Sequence, residues 1–157
     1  MGALSRFASY FDYAGGTGRQ ELVFLRDRSE EDWERLLRFG ERRRLRAEET
    51  LISEGEIDRS LYLVATGELE VSLSTGLRLA VISAGSVVGE LAFLDGQPRS
   101  ATISALTDGE VVRLSYEAFE TLAAHHPELG RAILLDLARI VAVRLRDTNE
   151  ALARATR

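Results

Sequence analysis

The feature that most constrains this fold is an alternation of apolar and polar residues across residues 51–114. Leu69, Val71 and Leu73 alternate with glutamate and serine, so a strand here buries one face and leaves the other in water. Residues 74–76 then supply a turn into a second alternating run, which predicts a hairpin. Further short runs, separated by turns at intervals of about 8 to 12 residues, predict an antiparallel sandwich or barrel, a class that includes jelly rolls.

Helical spacing precedes this region. Near the N-terminus, apolar residues recur at helical spacing, at Leu4, Phe7, Ala8 and Phe11. The glycine-rich residues 15–18 then break the pattern. We therefore expect residues 1–28 to form an N-terminal helical extension and linker. Ser29 and Asp32 form a capping-box-like start for the next helix, whose apolar stripe includes Trp33. We expect the main domain to span residues 29–157, with its barrel at about 44–114.

Helical spacing returns after the barrel, over residues 115–155. Ser115 can cap a helix that runs through Ala124, and Pro127 suits the first turn of the next helix. That last helix, of about 28 residues, carries an apolar stripe at helical spacing: Leu129, Ile133, Leu137, Ile140, Val141 and Leu145. It is too long for a small barrel to cover, so we expect its far end to meet a second copy in a homodimer. The predicted fold is mainly β with flanking α helices: an antiparallel jelly-roll β-barrel, N-terminal helices and a long C-terminal helix.

Composition argues against several classes of function. The formal net charge is −5, which argues against a nucleic-acid partner, and no apolar run approaches the length of a membrane span. There is no cysteine, and the two histidines, His125 and His126, are adjacent, so we expect no metal site. Residues 51–114 contain no histidine, which disfavours a metal-dependent cupin-like enzyme as well as a serine triad. A cytoplasmic, non-enzymatic protein is the prediction.

Residues 89–102 contain the side chains best suited to bind a ligand. Gly89 opens a short helix at Glu90, and a turn with Pro98 and Arg99 follows it. A helix N-terminus and a guanidinium both favour a phosphate. A carboxylate beside them would repel that phosphate unless it faced a hydroxyl group such as that of a ribose, from which it can accept a hydrogen bond. The pattern predicts a site for a small sugar phosphate.

The same residues, Gly-Glu-Leu-Ala at 89–92 and Pro-Arg-Ser-Ala-Thr at 98–102, resemble the phosphate-binding cassette of cyclic nucleotide-binding domains. The catabolite activator protein and the regulatory subunits of cAMP-dependent kinase belong to that family. The resemblance extends from about Arg44 to Leu152 and includes residues 54–56, 61–64 and 67–71, and Gly85. It implies a cyclic-nucleotide sensor in which ligand binding switches the C-terminal helix, here without a DNA-binding domain.

The resemblance also implies residue roles. Glu90 would accept from the ribose 2′-hydroxyl, and Arg99 would clamp the cyclic phosphate. Backbone N–H groups from Glu90 to Ala92 and the region of Ser100 would assist. The expected ligand-binding residues also include Gly89, Leu91 and Ala101. Val87, Leu91 and Leu79 would line the sugar and base side, although each is equally suited to a plain core.

Base recognition is expected from the C-terminal helix. Thr148 and Asn149 resemble a hydroxyl pair that reaches the adenine amino group in the activator-type relatives, with Asn in place of the second hydroxyl. Alternatively, they are polar residues on a solvated helix end. The Thr148 match favours cAMP over cGMP, while a hydroxyl at Ser100 is compatible with either.

A second hypothesis assigns the chain a different class of function. The barrel would be a structural or protein-interaction module that docks an unidentified downstream protein without nucleotide. The presence of both Glu90 and Arg99 speaks against this alternative, because such a module has no use for the pair.

Overall fold

The structure is a computed structural model that describes residues 22–156. Within that range the chain forms eight strands and four helices. The strands are β1 Glu41–Leu45, β2 Thr50–Ile52, β3 Ser60–Thr66, β4 Glu68–Ser72, β5 Arg78–Ser83, β6 Val87–Val88, β7 Thr102–Ala105 and β8 Gly109–Ser115. The helices are α1 Glu30–Phe39, α2 Glu90–Asp95, α3 Tyr116–His125 and α4 Pro127–Ala155. The helix predicted around Leu4 to Phe11 lies outside the described residues.

Two four-stranded antiparallel sheets make the barrel, in the strand orders β1-β8-β3-β6 and β2-β7-β4-β5. This confirms the predicted jelly-roll class with flanking helices. The predicted hairpin is β4–β5, in which Leu69 pairs with Ile82. Edge strand β5 nevertheless leaves Leu79 about half exposed, at 52%, so of the two roles that the sequence left open for this side chain the core is wrong.

Strand β3 divides the core in two. Tyr62 and Val64 point into the barrel, whereas Leu61 and Leu63 alternate with them and pack beneath the helices. The period of two in a strand sends successive side chains to opposite faces, and both faces of β3 are covered, so all four are buried. The helices are therefore fixed to the sheet that carries β6, the strand leading into α2.

The predicted helix caps are confirmed. The Ser29 side chain accepts from the Asp32 N–H, and the Ser115 side chain accepts from the Ala118 N–H. Pro127 opens the 29-residue helix α4, where its missing N–H costs no helical hydrogen bond. The first half of α4 is buried through residues that include Leu137 and Ile140, and its far half extends into solvent.

Residues 22–28 fasten α4 to the barrel. Phe24 is fully buried in the helix-side core, and its N–H donates to the Gly85 carbonyl at 2.9 Å. The Leu25 N–H donates to Asp136 on α4 at 2.5 Å, and Arg139 donates to the Val23 carbonyl at 2.8 Å. We propose that the folded domain begins within this segment rather than at residue 29.

Candidate functional site

The cassette, residues 89–102, connects β6 to β7 and contains helix α2. Gly89 and Gly96 bound this helix, both in left-handed backbone conformation, with φ of 79° and 70°. The Gly96 N–H closes the helix on the Ala92 carbonyl at 2.9 Å. Glycine at both ends is what allows a helix of only six residues to start and stop sharply.

Gly89 also makes room for the guanidinium of Arg99. A Cβ atom at this position would lie 2.6 Å from Arg99 Nη1 and 3.0 Å from the Ser60 carbonyl oxygen. The first distance is shorter than real Cβ contacts and the second is tighter than nine in ten of them, so space as well as φ favours glycine here. The start of α2 and the arginine of the following turn are therefore packed directly together.

Arg99 is held beneath the start of α2 with 4% of its surface exposed. Nη1 donates to the Gly89 carbonyl at 3.0 Å, and Nη2 donates to the Ser60 carbonyl at 2.8 Å. Asp58 lies 3.7 Å from Nη2. Burial lowers the pKa of Arg99 from its usual value, and the negative charge of Asp58 opposes this shift. An arginine keeps its charge at neutral pH even so, which leaves a desolvated cation in the cassette.

One nitrogen of this cation makes no hydrogen bond. Arg99 Nε is buried and has no hydrogen-bond partner among the described residues. Leaving a buried donor unsatisfied costs about 1–3 kcal/mol, and more for a charged group, so native proteins rarely do it without a reason. An anion bound at the cassette would provide the missing acceptor.

Glu90, the first residue of α2, is the acid of the cassette. Its surface is 9% exposed, and its Oε1 atom lies 2.7 Å from Nη1 of Arg144 on helix α4. The same arginine donates through Nη2 to the Val87 carbonyl at 2.7 Å and to the Ser86 hydroxyl at 3.1 Å. The acid of the cassette is thus tied to the long C-terminal helix.

The other residues predicted to bind the ligand fall into a buried group and an exposed group. Ala92 and Ala101 are buried, whereas Leu91 and Ser100 are exposed. Val87 is a core residue, because its side chain is fully buried beneath the helices and only its carbonyl reaches the site, through Arg144. Of the two roles that the sequence left open for Val87, the structure therefore supports the core.

Thr148 and Asn149 lie one turn beyond Arg144 on α4, and both are exposed. The Thr148 hydroxyl donates to the Arg144 carbonyl at 2.9 Å. Within residues 22–156, no hydrogen bond joins either side chain to the cassette. The structure brings Gly89, Glu90 and Arg99 together and leaves this predicted pair outside their contacts.

Comparison with known proteins decides the family. The family model described as "Cyclic nucleotide-binding domain" matches residues 42–126, more than half of the chain. The chain belongs to this family. The match covers the barrel, the cassette and α3.

Solved and curated relatives agree with this assignment. A cyclic nucleotide-binding domain from Methylobacillus flagellatus superposes with a TM-score of 0.78 at 26% identity, covering 94% of this chain and 84% of that one. The catabolite activator protein of Thermus thermophilus gives 0.71 at 27%, covering 83% and 61%. An uncharacterised NTE family protein of Mycobacterium tuberculosis is 33% identical over 125 residues, 80% of this chain and 21% of that protein. The chain spans about a fifth of the length of the first curated relatives it matches.

Three residues of this cyclic nucleotide-binding domain were not predicted as part of the site. Asp58, just before β3, and Ser60, its first residue, hold Arg99, and Arg144 holds Glu90 from α4. One signal for Arg144 was available, because it follows the buried Ile140 by four residues and so lies on the buried side of the helix. The carbonyl of Ser60 carries no signal in the sequence, since every residue has one.

None of the helices among residues 22–156, the 29-residue α4 included, combines the length and the hydropathy that a membrane span requires.

Proposed function

We propose that this domain binds a cyclic nucleotide at the cassette and that helix α4 relays the binding event. Arg99 holds the cyclic phosphate and Glu90 accepts from the ribose 2′-hydroxyl. The observation that carries the proposal is the buried guanidinium of Arg99, whose Nε lacks a partner, packed against the glycine that precedes Glu90. The family to which the chain belongs supports the class of ligand.

The electrostatics of the cassette suit a phosphate. Burial desolvates Arg99, and a charge in a desolvated site interacts more strongly with an anion than the same charge in water. The first N–H groups of α2, at residues 90–92, have no partner within their own helix and lie beside this cation. A phosphate there would also accept from Ser100, which is exposed at the edge of the cassette.

For the base, we propose recognition by Thr148 and Asn149 and a preference for cAMP over cGMP. Both residues lie on α4 beyond the residue that contacts Glu90, so a base held above the cassette would approach this part of the helix. Calorimetric titration with cAMP and with cGMP tests the preference. A tighter dissociation constant for cAMP is expected, and equal or reversed affinities would contradict it.

The proposed response to ligand binding depends on helix α4. A ligand changes the state of a protein only by binding one conformation more tightly than another. We expect cAMP to favour the state in which α4 lies against the cassette. Hydrogen exchange across residues 127–157 should therefore slow when cAMP is added, and unchanged exchange would leave binding without a switch.

We further propose a homodimer formed through α4. Exposed residues recur along this helix at the alternating spacing of three and four that is typical of a coiled coil: Leu135, Ala138, Ala142, Leu145, Asn149 and Leu152. The three leucines are 57–60% exposed in the isolated chain. A second copy of the same helix would cover this stripe.

A nucleotide-independent module is the second candidate, and one observation favours it. Glu90 is already paired with Arg144, and two of the three nitrogens of Arg99 are already bound to backbone carbonyls. Thermal unfolding with and without cAMP separates the two functions. A ligand present at 100 times its dissociation constant stabilises the folded state by about 2.7 kcal/mol, whereas a module that binds no nucleotide gains nothing.

A further inference from the structure

Arg59 holds the C-terminal end of the cassette helix α2 from the loop that leads into β3. Its Nε donates to the Phe93 carbonyl at 2.8 Å, and its Nη2 donates to the Leu94 carbonyl at 3.0 Å. Carbonyls in the last turn of a helix have no donor within that helix, so these two need an external partner. Together with the Gly96 N–H, which donates to the Ala92 carbonyl, the guanidinium closes this end of α2.

The guanidinium of Arg59 is itself fixed by helix α3. Its Cζ lies 3.6 Å from the ring centroid of Tyr116, the first residue of α3, which is a cation–π contact. The Tyr116 N–H also donates to the Arg59 carbonyl at 3.0 Å, so backbone and side chain both join the two residues. A guanidinium that stacks on a ring and binds two carbonyls has few other positions available. Arg59 therefore ties the end of α2 to the start of α3.

Helix α2 depends on such contacts to keep one orientation. It has only six residues, and a glycine in left-handed conformation bounds it at each end. A helix of this length is not stable by itself, and glycine permits many backbone conformations. Phe93 anchors the helix through the rings of Tyr116 and Phe119, at centroid distances of 5.6 and 5.4 Å. Apolar packing is not directional, whereas a fork on two successive carbonyls fixes the direction of the helix.

The direction of α2 determines where its other end points. The N–H groups of residues 90–92 lie roughly along the helix axis, so tilting the helix would aim them away from a phosphate at the cassette. A site whose donors are held in place before the ligand arrives binds more tightly, because less conformational freedom is lost on binding. An anchor at the C-terminal end of α2 thus bears on binding at its N-terminal end.

We propose that Arg59 is a positioning residue that holds α2 in the orientation in which residues 90–92 donate to the phosphate of the ligand. It acts from the opposite end of the helix and does not itself touch the nucleotide. This inference rests on the proposed function.

The first measurement is hydrogen exchange of the unliganded chain. Arg59→Met keeps the aliphatic stem and removes the charge and both donors. Since hydrogen bonds from a charged donor are lost, we expect the amides of residues 93–96 to exchange at least about tenfold faster than in the wild-type chain. Exchange in β3 and β8 should stay unchanged, because the substitution frees α2 alone.

The second measurement is calorimetric titration with cAMP. If α2 in Arg59→Met keeps the competent orientation for between about a tenth and a third of the time, the apparent affinity falls about three- to tenfold. Arg59→Lys keeps the cation and its contact with the Tyr116 ring but lacks the planar fork. Its exchange and its affinity should therefore lie between those of the wild-type chain and those of Arg59→Met.

Arg78→Met is the matched control. It also removes one partly exposed arginine, but Arg78 lies on β5 and its ion pair, at 3.4 Å, is with Glu70. This variant should keep the wild-type exchange of residues 93–96 and the wild-type affinity. Tyr116→Phe keeps the ring under Arg59 and should behave in the same way.

The outcomes separate the inference from the proposed function. A wild-type chain that does not bind cAMP overturns both. If cAMP binds the wild-type chain, unchanged affinity or unchanged exchange of residues 93–96 in Arg59→Met overturns the inference alone. Exchange that accelerates equally in β3 and β8 also overturns it, because the role of Arg59 would then be merely structural. If Arg59→Met does not fold, Arg59→Lys decides: an intermediate affinity with faster exchange confined to α2 supports the inference, and wild-type values overturn it.

Discussion

Replacing Arg99 by alanine should weaken binding of cAMP at least tenfold. The guanidinium is 4% exposed, so a phosphate at this site would lose its main partner where water cannot replace it. Removing one member of such a buried charge pair costs about 2–5 kcal/mol. Since about 1.4 kcal/mol corresponds to a factor of ten, this loss equals roughly 30-fold to several thousandfold in affinity. Calorimetric titration measures it directly.

The same substitution should lower the free energy of unfolding by about 1–3 kcal/mol, because the carbonyl oxygens of Gly89 and Ser60 lose a donor. Arg113→Ala is the matched control. Arg113 lies 3.6 Å from Asp58, which Arg99 also approaches, but its side chain is 33% exposed on β8 and it does not belong to the cassette. Arg99→Lys keeps the charge should the alanine variant not fold. Unchanged affinity in a folded Arg99→Ala would refute the assignment of this residue to the phosphate.

Two further predictions concern the glycine and the long helix. Gly89→Ala should cost about 2–3 kcal/mol of stability in denaturant unfolding and also weaken cAMP binding, because its Cβ displaces the cassette guanidinium. The control is Gly76→Ala, because Gly76 has a similar φ of +87° but open space where a Cβ would lie. This substitution should cost about 1 kcal/mol of stability and leave cAMP binding intact. Equal losses of stability in the two variants would contradict the steric argument. Leu145→Glu with Leu152→Glu should convert a dimer to a monomer in analytical ultracentrifugation, whereas Ala151→Glu, off the stripe, should not. A wild-type chain that is monomeric at high concentration would contradict the dimer.

Much of the fold could be predicted because it depends on local patterns. The alternation at Leu69, Val71 and Leu73 predicted a strand and its hairpin, and Ser29 and Ser115 marked helix starts that the structure confirms. These signals arise from side-chain period and from capping, which neighbouring residues determine.

Features that depend on the edges of the fold were harder to predict from the sequence. Leu79 lies in an alternating run that predicts a buried face, but β5 is an edge strand and nothing within the described chain covers this side. Likewise, Phe24 precedes any recognisable element, yet it is fully buried because residues 22–28 fold back onto α4 and the turn at Gly85. Both outcomes depend on which elements become neighbours.

In the site, the sequence predicted the cassette but not what holds it. Glu90 and Arg99 stand in a compact motif, and the structure brings them to the same end of α2. Their partners are Arg144 on α4, Ser60 at the start of β3 and Asp58 just before it, at separations in sequence that no motif records. The ligand assignments themselves stay predictions until binding is measured.

The most direct test of cyclic-nucleotide binding at the cassette is a titration of the isotope-labelled chain with cAMP, followed by backbone amide NMR. The largest shift changes are expected at residues 89–92 and 99–101, followed by changes on α4 around Arg144. An absence of change would contradict the proposed binding. Changes centred instead on the groove of about 400 Å³ between residues 25–28 and α4 would place the ligand away from the cassette and contradict the proposed site.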